Sequence, residues 1–193
     1  MTIDEVLTFW FGVTVSGDDA YQVRRKLWFR KNPATDQEIR RLFFSTYEQA
    51  IAGALAHWQT TPRGALALAV VLDQFPRNMF RGEAQSFASD AQARTVANRA
   101  IADGFDQQLP PLQRMFLYLP LEHSENLEDQ FRCVDLFQRL LNECPELTNS
   151  YDYAVRHKDI IERFGRFPHR NHILGRETTA EEAEFLSLPG SSF

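Results

Sequence analysis

Cysteine is scarce in this chain of 193 residues, with Cys133 and Cys144 its only two. On one helix, that spacing puts them roughly 16 Å apart, well beyond disulfide reach. They read as ordinary buried thiols of a reducing compartment. Long apolar runs are also missing: nothing approaches the roughly 18 consecutive apolar residues of a membrane span. The opening stretch MTIDEVLTFWFG carries an acidic pair where a secretion signal needs positive charge, so a cytoplasmic setting is expected. There is no basic surplus either. The net charge of -5 argues against nucleic acid or an anionic membrane surface as partner. No Asn-Gly or Asp-Gly turn joins two alternating runs, so no β-hairpin is expected. Nucleotide loops of the GxxxxGK[ST] or GxGxxG kind, the HExxH zinc motif and the GxSxG elbow are all absent.

What is present is an ordinary globular balance, 44% hydrophobic and 24% charged, with 16 phenylalanines. Flat rings in that number suit a core packed between helices. The periodicity is helical nearly everywhere. Thr2 and Glu5, Thr35 and Glu38, and Thr179 and Glu182 have capping-box spacing. Thr61-Pro62 opens another helix, Ser89-Asp90 caps the next, and Gly104 and Gly165 mark helix ends. A loop is expected at Ser16 to Asp19, and Pro76 is expected to stop its helix. The run from Leu127 predicts a face of Leu127, Phe131, Val134, Phe137 and Leu141. The expected fold is all-α, an array of antiparallel helix pairs forming a single domain over residues 1–193.

Polar residues crowd beside rings and prolines in three places: LDQFPRNMFRG (72–82), YLPLEHSEN (118–126) and RHKDIIERFGRFPHRNHILGRE (156–177). The phrase Phe-Pro-Arg-Asn at 75–78 returns at 167–171 with one histidine inserted. In each copy, rings anchor the loop and proline stiffens it. That displays Arg77, Asn78 and Arg81 in the first, and Arg166, His169, Arg170 and Asn171 in the second. Guanidinium and amide groups held so suit bidentate capture of carboxylate or phosphate. The competing reading is that these arginines cap carbonyls or pair with neighbouring acids. Six arginines (77, 81, 163, 166, 170 and 176) lie in two short segments of an otherwise acidic chain, which favours a site.

His123, between Glu122 and Glu125, is a candidate acid or base, and His157 is a second. Against this, the two glutamates also suit the start of the helix that Asn126 begins, and His157 reads first as a satisfied core residue. His169 and His172 are three residues apart, but among arginines that repel cations, so no metal or cofactor is expected. Trp28 and Phe29, in KLWFRKNP, are expected to pack inward.

The long segments LDQFPRNMFRG, SFASD, FLYLPLEHSENLEDQ and HKDIIERFGRFPHRNHILGRE, with the region around Trp28, resemble the bacterial family termed domain of unknown function 924. The resemblance covers nearly the whole chain. It implies an all-helical fold similar to tetratricopeptide-repeat proteins. It implies no settled reaction, so no residue role follows from it.

Three functions fit the residues. One is a polar pocket for a small anionic molecule, with Arg77, Arg81, Arg166, His169 and Arg170 as donors and Asn78 and Asn171 orienting it. His123 or His157 would move a proton, biased by Glu122 and Glu125; whether turnover follows is left open. The second is an adaptor whose groove takes a peptide or protein partner by its carboxylate. The third is a structural polar network with no ligand. Oligomeric state has no signature here.

Overall fold

The computed structural model describes residues 1–12 and 18–191, and every regular element among them is helical. The longer helices are α1 (Ile3–Phe11), α2 (Asp18–Phe29), α3 (Pro33–Ile51), α4 (Pro62–Ala69), α5 (Phe75–Met79), α6 (Asp90–Ala102), α7 (Pro111–Glu122), α8 (Leu127–Glu143), α9 (Thr148–Phe164) and α10 (Ala180–Leu186). The loop expected at Ser16–Asp19 lies partly outside the described residues, and Asp18 and Asp19 already belong to α2.

The capping chemistry forms at both ends of the chain. The Thr2 hydroxyl accepts from the Glu5 amide at 3.2 Å, while the Glu5 carboxylate accepts from the Thr2 amide at 2.6 Å. Thr179 and Glu182 repeat the exchange at the start of α10. Gly165 closes α9 in the left-handed conformation, at φ 68°, that favours a residue without Cβ. Gly64 is needed for a different reason. A Cβ there would sit 2.1 Å from the Trp58 carbonyl oxygen, so α4 can start against the preceding 3₁₀ turn only without a side chain.

Several expected caps are replaced. Asn32, not Thr35, caps α3, accepting from the Ala34 amide at 3.0 Å with Pro33 in the first turn. Thr148, where the run TNSYDYAVRHKDIIERFG was expected to start from a threonine cap, lies inside α9 and donates its hydroxyl to the Pro145 carbonyl. Pro76 does not stop its helix. The chain runs from α4 through a π-helical turn, Val70–Gln74, into α5. Proline has no N–H for the carbonyl four residues back, and the wider turn absorbs the mismatch by bonding the Phe75 amide to the Val70 carbonyl. The Leu72 carbonyl, which Pro76 cannot reach with an N–H, takes the Ser89 hydroxyl at 2.6 Å. Ser89 therefore does not cap α6 as its position suggests. Pro120, likewise, lies inside α7, which continues to Glu122.

The core is aromatic. Trp10, Phe43, Phe75, Phe116 and Phe80 are almost fully buried. Phe116 meets Trp10, Phe11 and Trp28 edge-to-face at 5.7, 5.3 and 4.8 Å between centroids. Burying each such ring contributes about 1.5–3 kcal/mol, and each good ring pair about 0.5–1.5 kcal/mol more. Trp28 packs inward as expected, but Phe29 stays half-exposed. A smaller cluster, of Ile160, Ile161 and Phe167 with Phe164 and Phe185, joins α9 to α10.

Helix α8 packs against both α7 and α9. Its buried face is Gln130, Cys133, Leu136, Phe137 and Leu140, while Phe131 is 51% exposed and Leu127 39%. The Lys158 ammonium covers the Phe131 ring, 5.7 Å from its centroid, so this aromatic is held at the edge and not in the core. Gln130 is buried for a polar reason. Its amide donates to the carbonyls of Leu121 (3.3 Å), Glu122 (2.7 Å) and Ser124 (2.7 Å), closing the end of α7.

Candidate functional site

The three polar segments meet, but only in part. The π turn places Asp73 beside His123, which follows the last residue of α7. His123 Nδ1 lies 2.8 Å from Asp73 Oδ1 and 3.0 Å from Oδ2. A carboxylate only accepts, so Nδ1 carries the proton and the neutral ring keeps its lone pair on Nε2. Asp73 also accepts from the Gln74 amide at 2.6 Å. Arg77, one turn on, donates to the Asp73 carbonyl at 2.6 Å and forks onto Asp90 at 2.9 and 3.0 Å. Arg170, from the second Phe-Pro loop, reaches Asp90 at 3.4 Å. Its guanidinium lies between the rings of Phe87 and Phe167, 4.6 and 4.4 Å from their centroids. Among the described residues, the Asp90 contact is its one hydrogen bond, and its buried Nε has none.

Glu122 and His157 back this group. The His157 ring sits 6.3 Å from that of His123. Its Nδ1 donates to the Tyr153 carbonyl at 2.8 Å and lies 3.4 Å from Glu122 Oε1. Glu122 Oε2 is buried with no hydrogen bond. His169 lies alongside, its ring 5.7 Å from Phe167.

The electrostatics separate these groups. Burial raises the Glu122 carboxyl, the Asp73 charge raises it further, and Arg77 only partly offsets them, leaving it near pKa 8 and neutral at pH 7. Asp73 is just as buried, yet the Arg77 charge and the hydrogen bonds from His123 and Gln74 outweigh burial and hold its pKa well below the usual carboxylate range. For His123, burial and then the Arg77 charge lower the pKa against the pull of Asp73. Burial takes His157 down to about 3, and His169 falls to about 4 through burial and then the Arg170 charge. The cluster thus holds neutral imidazoles and a neutral carboxylic acid around an ionised aspartate. Water reaches it at one edge: the His123 side chain is 15% exposed and those of Arg77 and Asp90 19% each, against 1% for Asp73.

The remaining expected ligand-binding residues face elsewhere. Asn78 and Arg81 turn to Asp36 on α3, which accepts from Asn78 Nδ2 and from Arg81 Nη2 and Nε, each at 2.8 Å. Arg166 forks onto Glu182 of α10 at 2.6 and 2.8 Å, and Asn171 donates to the same carboxylate at 3.2 Å. Glu125 does not approach His123. It accepts from the Phe167 amide at 2.8 Å and from Arg176 at 2.8 and 3.1 Å, tying the α7–α8 connection to the loop after α9.

Sequence reasoning missed Asp90 and Phe87, and placed Asp73 only as a neighbour of the first loop. The signal for Asp73 was there: Asp73 and Arg77 are four residues apart on a helical run, the spacing of an ion pair. Nothing local marks Asp90 as the acceptor for Arg170, 80 residues away. Among the described residues, no group of three or more His, Cys, Asp or Glu is arranged to hold a metal ion.

An all-helical chain with a buried carboxylate–imidazole cluster is the class that fold and site define. The chain belongs to the family of bacterial proteins of unknown function DUF924, whose model matches residues 6–190. It is similar to a solved structure of a protein of unknown function from Agrobacterium tumefaciens, at 38% identity and a TM-score of 0.83, over 95% of this chain and 96% of that one. No curated protein matches.

Proposed function

We propose that this protein binds a small anion, a carboxylate or phosphate, at the exposed edge of the Asp73–His123 cluster, and that His123 exchanges a proton with it. The supporting observation is the aspartate–histidine pair itself. A buried carboxylate fixes the tautomer of a partly exposed imidazole whose Nε2 is left as base. Arg170 supplies the charge, since its hydrogen-bonding capacity is hardly used, and neutral Glu122 is the nearby acid. A cytoplasmic setting fits the two thiols, neither in a disulfide.

The test is a thermal-shift panel of small carboxylates, phosphates and short peptides on the wild type and on Arg170→Gln. A ligand that binds only the native state raises its melting temperature. The proposal expects a rise with at least one anion, lost in the variant. No rise across the panel would refute it.

A second reading has its own support. Arg77 is already satisfied by Asp90 and the Asp73 carbonyl, and Arg81 and Arg166 have carboxylate partners of their own. On that basis the polar residues hold helices together without a ligand. Loss of stability in Arg77→Met with no anion response in the wild type would favour it.

A further inference from the structure

A cavity of about 340 Å³ opens elsewhere, between α6, α7 and α8. One side is apolar, from Ile101, Leu136 and Leu140; the other is polar, from Asp106, Tyr118 and Arg114. Asp106 is 3% exposed. The Tyr118 hydroxyl and the Gln107 amide both donate to its Oδ2, at 2.7 Å each. Among the described residues, its Oδ1 takes no hydrogen bond and no cation pairs with the carboxylate.

The arginines of this cavity are differently placed. Arg114 is bound through Nη1 to both oxygens of Glu143 at 2.9–3.0 Å and through Nη2 to the Leu109 carbonyl. Arg139 pairs with Asp135 at 2.7 Å on the exposed surface of α8. Both arginines are thus paired with carboxylates, and among the described residues no basic side chain pairs with Asp106. A carboxylate oxygen on a cavity wall with no basic partner is an acceptor open to a cationic donor. A ligand with an ammonium group supplies that donor.

We infer that this cavity is a site for a small organic ammonium with a branched apolar body. The ammonium donates to Asp106 Oδ1 and to the Tyr118 hydroxyl oxygen, whose own proton is already committed to Oδ2. The alkyl part lies on Ile101, Leu136 and Leu140. A cavity of this size suits a head group and a few carbons. The site is independent of the anion reading, because it shares no residue with the Asp73–His123 cluster.

The experiment is an amide-resolved NMR titration of the full chain with isobutylammonium chloride. Sodium chloride and isobutanol serve as controls for ionic strength and for the apolar body. Saturable shifts at Ile101, Gly104, Gln107 and Leu136, at least tenfold tighter for the ammonium than for the alcohol, support the site. Asp106→Asn keeps an acceptor for Tyr118 and removes the charge; its binding is expected to weaken at least tenfold. Equal affinity for the alcohol, shifts mapping outside the cavity, or an unchanged response in folded Asp106→Asn would each overturn it. Should that variant not fold, the wild-type comparison of ammonium with alcohol decides alone.

Discussion

The Ser89 hydroxyl donates to the Leu72 carbonyl at 2.6 Å, taking the place of the amide that Pro76 lacks. A residue at the head of α6 therefore completes a hydrogen bond inside the α4–α5 helix, one residue from Asp73. Replacing Ser89 with Ala removes a buried hydrogen bond to that carbonyl, a cost of about 0.5–1.5 kcal/mol. Urea unfolding of S89A should show that loss; an unchanged midpoint would mean the π turn does not depend on this bond.

The pH dependence of stability should carry two opposing contributions. The Glu122 carboxyl is raised from 4.5 to about 8, so its contribution is full below pH 4.5 and is lost as pH rises through 8. His157 is lowered from 6.5 to about 3, so its contribution is full above pH 6.5 and is lost as pH falls through 3. Glu122→Gln removes the first effect alone. Between pH 5 and 8 the variant should gain stability relative to the wild type as pH rises, measured by denaturation at several pH values. A parallel offset at every pH would show that Glu122 is ionised throughout.

Glu182 joins α10 to the second Phe-Pro loop by accepting from Arg166, Asn171 and the Thr179 amide. Truncating the shared acceptor strands all of these donors, whereas truncating Arg166 strands only one group. Glu182→Ala should cost about 1.5–3 kcal/mol, the range for hydrogen bonds to a charged group, and Arg166→Ala less. Paired denaturation curves check the order; the reverse order would place the ion pair's importance with the guanidinium.

The two thiols should react at different rates. Cys133 is fully buried, and burial, then the nearby charges of Glu122 and Asp129, push its thiol well above the ordinary range. Cys144 is only partly buried. Iodoacetamide should label Cys144 in the native protein while Cys133 waits for unfolding, as peptide mass spectrometry would show. Equal labelling would indicate frequent opening of α8.

Much of the fold was legible because helix ends are written locally. Thr2 with Glu5, Thr179 with Glu182, and Gly165 each carry their own signal, and each behaves as its spacing implies. Prolines were harder to read: Pro76 and Pro120 look like stops, yet one is absorbed by a π turn and both stay within helical runs. The site was half legible for a related reason. The cations could be named from their crowding around rings and prolines, but their directions depend on acids elsewhere in the chain. Asp36 draws Arg81 away and Glu182 draws Arg166 away, while Asp90 brings Arg77 and Arg170 together. Periodicity shows which face of a helix is apolar; it does not show which distant carboxylate a long side chain reaches.

The last turn of α7 is fastened from outside. Because Gln130 belongs to α8 and holds the carbonyls beside His123, fraying there requires the neighbouring helix to withdraw. The imidazole's freedom of movement is therefore set by a helix pair and not by the loop it heads, so a displacement of the ring strains α8 as well.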